Sequence, residues 1–166
     1  METFGIKKME NSRMAPIKIF YDAFCVRDGE TMASLYADDV EFQDPVFPQL
    51  RGEYAKSMWR MLCEKGADLA VTYEIISSDG DTHKVRWDAR YTFTGTGQQV
   101  HNKVLATLVV KDGKITKHTD QFSFWRWSRQ ALGVPGLLLG WTPVLQKKVQ
   151  NRARKSLEAY MAQKKN

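Results

Sequence analysis

The chain has 166 residues, 43% of them hydrophobic, enough for one domain with a real core and too few to expect two. The net charge of +6 sits at one end: residues 141–166 hold seven basic residues and one acid, so the rest of the chain is neutral. No apolar run reaches the roughly 18 residues of a membrane span, and the basic residues lack the interleaved aromatics of a nucleic-acid-binding face, so neither class is expected.

Residues 1–12 read as a mobile leader with no apolar signal-like stretch, which points to the cytoplasm. Cys25 and Cys63 fall in helix-like patterns, fitting free thiols in a reducing compartment. From Pro16, the set Ile17, Phe20, Tyr21 and Phe24 predicts an amphipathic helix. Met32, Leu35 and Tyr36 predict a second, shorter one, and "DDVEF" a short strand that ends at Asp44-Pro45. An Asp before Pro is a common turn opener; the alternative is a base at the mouth of a pocket. Tyr54, Met58, Met61 and Leu62 predict a third helix. Beyond it the period changes to two. "LAVTYEII", "HKVRWDARYTF", "VHNKVLATLVV" and "ITKHTDQFSFWRW" read as four strands, joined at "SSDGD", "TGTG" and "KDGK". Helices first and an antiparallel meander after them make an α+β domain with helices on one face of a curved sheet. Thr142-Pro143 is an N-cap and first-turn pair. It opens a basic amphipathic helix to about residue 162, striped by Leu145, Val149, Ala153, Leu157, Tyr160 and Met161.

The strand at 83–93 has two possible phases. Either Arg86 and Asp88 face the interior, or Trp87 does and the charges form an outer ion pair. On the last strand, His118 and Asp120 share a face with Phe122 and Phe124 and form a candidate acid/base pair. His101 falls on an outer face, and His83, after a turn, reads as exposed. No histidines and carboxylates show metal-ligand spacing, so no metal and no cofactor are expected.

"LYADDVEFQDPVFPQLRG" and "VKDGKITKHTDQFSF", in this order of elements, resemble the nuclear transport factor 2-like superfamily in its SnoaL-like and ketosteroid-isomerase-like branch. The resemblance implies a cone-shaped domain over residues 13–127, a deep apolar pocket and a homodimer through the outer sheet face, with 128–166 as an added helical extension. It implies an apolar small molecule as ligand, and either cofactor-free isomerase or hydrolase chemistry, non-catalytic binding, or a scaffold role. Asp44 matches the Asp-Pro base of ketosteroid isomerases. Phe20 and Ala106 stand at the oxyanion positions of those enzymes and donate no hydrogen bond, so steroid isomerisation by that route is not expected. Arg86 and Asp88 of "VRWDARY", with Asp120, match the Arg and two acids of limonene-epoxide-hydrolase-like members. Phe20, Tyr21, Phe47, Met58, Trp59, Ala106, His118 and Phe122 are then the expected pocket lining. In the extension, Leu137, Leu138, Leu139 and Trp141 are expected to dock over the cone mouth as a lid; membrane-surface contact of the last helix is the less favoured alternative.

Overall fold

The computed structural model describes the backbone of residues 2–165 and the side chains of residues 14–165. The side chains of the expected leader lie outside the described residues; the first helix, α1, spans Glu2–Cys25 with Pro16 inside it. Helix α2 (Gly29–Leu35) is capped by Asp28, whose side chain accepts from Thr31 N, and α3 spans Glu53–Lys65. Between them lie β1 (Tyr36–Gln43) and the two-residue β2 (Leu50–Arg51). The long strands are β3 (Ala70–Asp79), β4 (Thr82–Phe93), β5 (Gln98–Lys111) and β6 (Lys114–Gln121). They form one six-stranded sheet in the order β2-β1-β6-β5-β4-β3, with β1 and β6 parallel and every other neighbour antiparallel. Register shifts at Ile75/Ser77 and Val109/Val110 bend the strands, and the sheet curves without closing. At the β5–β6 hairpin, Asp112 and Gly113 both have positive φ, the primed turn that matches strand twist. The fold class read from the sequence is the one observed.

Several boundaries differ, beginning with α1, which starts at Glu2 and not at Pro16. Tyr36 opens β1 instead of closing α2. β2 was not expected. The fourth strand stops at Gln121, and Phe124–Ala131 form a helix, α4. Its reason is in the sequence: Ser123 caps Arg126 N at 3.2 Å, and the buried residues Phe124, Trp127, Ser128 and Ala131 follow helical spacing. Trp125 and Trp127 are therefore on a helix and not on the outer sheet face. Helix α5 (Val134–Leu139) and the long α6 (Pro143–Lys164) follow, the latter capped by Thr142 as expected.

The core lies between the concave sheet face and α1 to α3. Its buried residues include Phe20, Phe24, Tyr36, Phe42, Trp59, Trp87, Leu108 and Ile115. The phase of β4 is settled by burial: Val85, Trp87 and Ala89 are buried, while Arg86 and Arg90 are exposed. Burying an indole against Phe24 gains far more than burying a guanidinium, which would have to leave water. A dimer through the outer face would thus rest on charged residues and the exposed Leu105, not on Trp87. His83, expected at the surface, is buried and hydrogen-bonded through Nδ1 to Ser78 Oγ at 2.9 Å.

Helix α6 docks on the body through its apolar stripe, with Leu157 and Tyr160 buried and Ala153 and Met161 packed beside them. Tyr160 donates to Glu64 at 2.8 Å, and Gln146 and Gln150 both donate to Pro45 O. The lid expected from Leu137, Leu138, Leu139 and Trp141 does not form: all four are exposed. Cover comes instead mainly from α4, which begins ahead of the expected extension. Phe124 and Trp127 pack with Val100, Val46, Tyr91, Phe93 and Val149.

Candidate active site

The parallel pairing of β1 with β6 sets Phe42 beside His118 and Gln43 beside Thr119. It carries Asp44, the next residue, alongside Asp120, and Ala106 of β5 pairs with Asp120 on the far side. Asp120 near the end of β6 and Asp44 in the turn just past β1 thus stand near enough for the charge of Asp120 to act on Asp44.

Asp120 belongs to a buried chain of hydrogen bonds. Trp59 Nε1 donates to the Tyr36 hydroxyl at 2.7 Å. The same hydroxyl meets His118 Nδ1 at 2.7 Å. His118 Nε2 meets Asp120 Oδ1 at 3.0 Å, and Trp87 Nε1 donates to that oxygen at 3.3 Å. All five side chains are buried. Indole N–H only donates, so Tyr36 accepts from Trp59 and has its own proton left for His118. With a neutral imidazole the ring then accepts at Nδ1 and donates from Nε2 to the carboxylate, as in any relay that ends on an acid. The ring is clamped as well: Trp59 stacks on it at 5.7 Å, and Phe20 and Phe42 meet its faces edge-on at 5.6 and 5.3 Å.

Tyr21 stands next to this chain. It is wholly buried, and its hydroxyl is without a hydrogen-bond partner. Burial, with Asp120 and Tyr36 adding to it, pushes the Tyr21 phenol well above its ordinary range. Burial does the same to Tyr36 against the opposing bond from Trp59. Both phenols are held as O–H donors. An orphaned buried hydroxyl costs about 1–3 kcal/mol, and among the described residues the Tyr21 hydroxyl has no acceptor for its proton.

The turn read from Asp44-Pro45 is present, with Asp44 Oδ1 accepting from Val46 N at 2.7 Å and Phe47 N at 2.5 Å. Asp44 also lies against the interior, where desolvation pushes its carboxyl up to about 7, with the two backbone N–H bonds opposing and the charge of Asp120 adding. Tyr91, whose phenol is raised by burial and by Asp44, accepts from Trp127 Nε1 at 2.9 Å and seals this end.

Of the expected site residues, His118 and Asp120 are hydrogen-bonded, and Asp44 lies close enough for the charge of Asp120 to act on it. Phe20, Tyr21, Phe47, Met58, Trp59 and Ala106 are buried in the same interior, with the partly buried Phe122 packed against them. Arg86 and Asp88 do not join them. Arg86 is exposed beside Glu74, and Asp88 bonds His101 Nε2 at 3.0 Å on the outer face. The hydrolase-like trio of Arg86, Asp88 and Asp120 is therefore divided between two sides of the sheet, because Trp87 takes the inner position. Trp87 is the inward alternative of the reading for strand 83–93, while Tyr36, Tyr91 and Trp127 were missed as site residues. The alternation through Val85, Trp87, Ala89 and Tyr91 could have found Tyr91. Among the described residues no His, Cys, Asp and Glu group could hold a metal. A groove of about 550 Å³ lies elsewhere, between α2, α3 and the end of α6, lined by both signs of charge.

A curved, unclosed sheet wrapped on three helices is the cone-shaped architecture of nuclear transport factor 2-like proteins. The chain belongs to the SnoaL-like domain family, whose model matches residues 17–118. None of the curated proteins matches it in sequence. Among solved structures it is similar to an LEH-like epoxide hydrolase of M. tuberculosis at TM-score 0.60 and 19% identity, over 78% of this chain and 95% of that one. It is also similar to a protein with a ketosteroid isomerase-like fold from Catenulispora acidiphila, in complex with trimethylamine, at TM-score 0.63 and 18% identity over 77% and 97%. A candidate polyketide cyclase from Xanthomonas campestris aligns at TM-score 0.58 and 21% identity over 74% and 98%. At these identities the likeness speaks for the fold.

Proposed function

We propose that the protein is a cofactor-free acid/base enzyme acting on an apolar small molecule that carries one polar oxygen. The observation that supports this best is the unpartnered Tyr21 hydroxyl beside the Tyr36–His118–Asp120 chain. A ligand oxygen taking the Tyr21 proton would satisfy the buried donor. It would also lie next to two carboxyls of different environment, the arrangement that divides acid and base roles. Asp44 moves a proton near neutral pH, and Asp120, held by His118 and Trp87, is the second group. Apolar walls supply affinity without charge. An epoxide hydrolase and a candidate polyketide cyclase are among the structures of similar fold, and isomerisation or hydrolysis are the reactions such a site serves.

A second reading has its own support. Every member of the Trp59–Tyr36–His118–Asp120–Trp87 chain has a hydrogen-bond partner within the protein, as in a structural network, and the site then binds a ligand without turning it over. A panel of alicyclic epoxides and enolisable ketones, assayed for turnover, separates the two. Turnover that falls on the order of a hundredfold in both Asp44→Asn and Asp120→Asn supports the enzyme. Saturable binding of a panel compound, without turnover and weakened by Tyr21→Phe, supports the binder. Neither result removes both.

A further inference from the structure

Helix α5 is built inside out. Its small residues face the protein: a Cβ on Gly136 would meet Ser128 O at 1.9 Å, and one on Gly140, just past its end, would meet Ser128 Oγ at 2.1 Å. Its large residues face water. Val134 is 66% exposed, Leu138 62%, Trp141 73% and Val144 78%, with Leu137 and Leu139 about half exposed. A helix recruited to a core would show the opposite pattern. The presentation is also fixed in place. Trp125 Nε1 donates to Leu137 O, Trp141 Nε1 to Leu138 O, Thr142 Oγ1 to Leu139 O, and Ser128 Oγ to Gly136 O. A contiguous apolar projection on a rigid base marks an interaction surface.

The charge around it names the partner. Between Asp120 and Glu158 the sequence has seven basic residues and no acid. Arg126, Arg129, Lys147 and Lys148 bracket the projection along the chain and are exposed, and among the described residues none of them has an acidic partner. The Arg129 guanidinium lies over the Trp125 ring at 4.9 Å, beside the projection. A second copy seated here would set two such cationic stretches face to face, which costs association energy. An anionic lipid surface answers both features at once. Its acyl boundary takes the leucines, its headgroup region takes the indole of Trp141, and its phosphates take the cations. No described helix is long and apolar enough to cross a membrane, so the contact is with one leaflet.

We propose that α5 and its flanks, residues 134–148, form a peripheral docking surface for anionic membranes, through which the protein meets apolar small molecules at the bilayer. The test uses the full chain with vesicles of phosphatidylcholine, with and without phosphatidylserine, read by co-sedimentation and Trp fluorescence. Partition onto the anionic vesicles, weakened by salt, is expected. It should fall on the order of tenfold or more in Leu138→Ser/Trp141→Ser and in Lys147→Glu/Lys148→Glu. Both pairs are exposed, so an unchanged melting temperature shows that folding is intact. Absence of partition overturns the proposal, and so does equal partition onto neutral vesicles. Concentration-dependent self-association without vesicle binding, abolished by Leu138→Ser/Trp141→Ser, also overturns it and assigns the surface to a second copy.

Discussion

Two tyrosines in one buried cluster have opposite roles, and substitution tells them apart. Tyr36 is bonded on both sides, to Trp59 and to His118. Tyr36→Phe strands an indole N–H and an imidazole nitrogen, and should cost about 1–3 kcal/mol, a clear fall in melting temperature. Tyr21 has no partner to lose. Tyr21→Phe should leave unliganded stability unchanged or raise it by about 1 kcal/mol, while it weakens ligand binding or turnover. Equal destabilisation by both changes would mean that Tyr21 is already satisfied. Asp44 supplies a pH test. Its folded carboxyl titrates at about 7, well above an unfolded Asp at about 4. Between those values the native state keeps a proton that the unfolded state has released. Its stabilising contribution is complete below about pH 4 and is lost as pH rises through 7. Asp44→Asn keeps the acceptor for the two backbone N–H groups and removes the titration. The variant should match the parent at low pH and exceed it at pH 8 by at most about 4 kcal/mol. Denaturant melts across this window measure it, and parallel stability curves would show that Asp44 titrates like a surface acid.

At the scale of elements, the helices and long strands were legible because each buries one side, and burial sets periodicity. The site was legible only in part. Asp44 announced itself by its proline, and His118 and Asp120 by their shared phase. Tyr36 sat on a helix–strand border where spacing three and spacing two both fit. Arg86 and Asp88 looked like a site because two polar residues at period two look alike on either face. Deciding the face took the third dimension, in which Trp87 reaches Phe24 and Asp120. The segment 122–127 alternates like a strand but also spaces like a helix, and the cap of Ser123 decided it. Gly136 lies beyond sequence reasoning, since its need arises from contact with Ser128. Gly136→Ala pushes a methyl group into that carbonyl and must lift α5 from α4. A loss of about 1–3 kcal/mol is expected, in the range of overpacked sites, with a shift in Trp fluorescence as the bonds from Trp125 and Trp141 loosen. No change in either reading would mean that α5 is held elsewhere.

On the scale of the whole molecule, residues past the family match pack against the loop that carries Asp44. The match ends at residue 118. The residues that seal the Asp44 end lie beyond it: Phe124 and Trp127 of α4 and Val149 of α6, packed against Val46 and Tyr91. Gln146 and Gln150 fasten the same loop by bonding Pro45 O, one residue from Asp44. We predict that α4 and α6 supply much of the desolvation that raises the Asp44 carboxyl. Trp127→Ala with Val149→Ala should admit water at this end without touching the His118–Asp120 chain. The Asp44 carboxyl should then titrate lower, moving from about 7 toward the ordinary value near 4. Carboxyl carbon chemical shifts followed through a pH titration would report it directly. The fall in stability between about pH 4 and 7 should flatten in the same variant, because it has the same origin. An Asp44 titration unmoved by the double substitution would assign the desolvation to the sheet and α1 alone and leave α4 and α6 as structural cover.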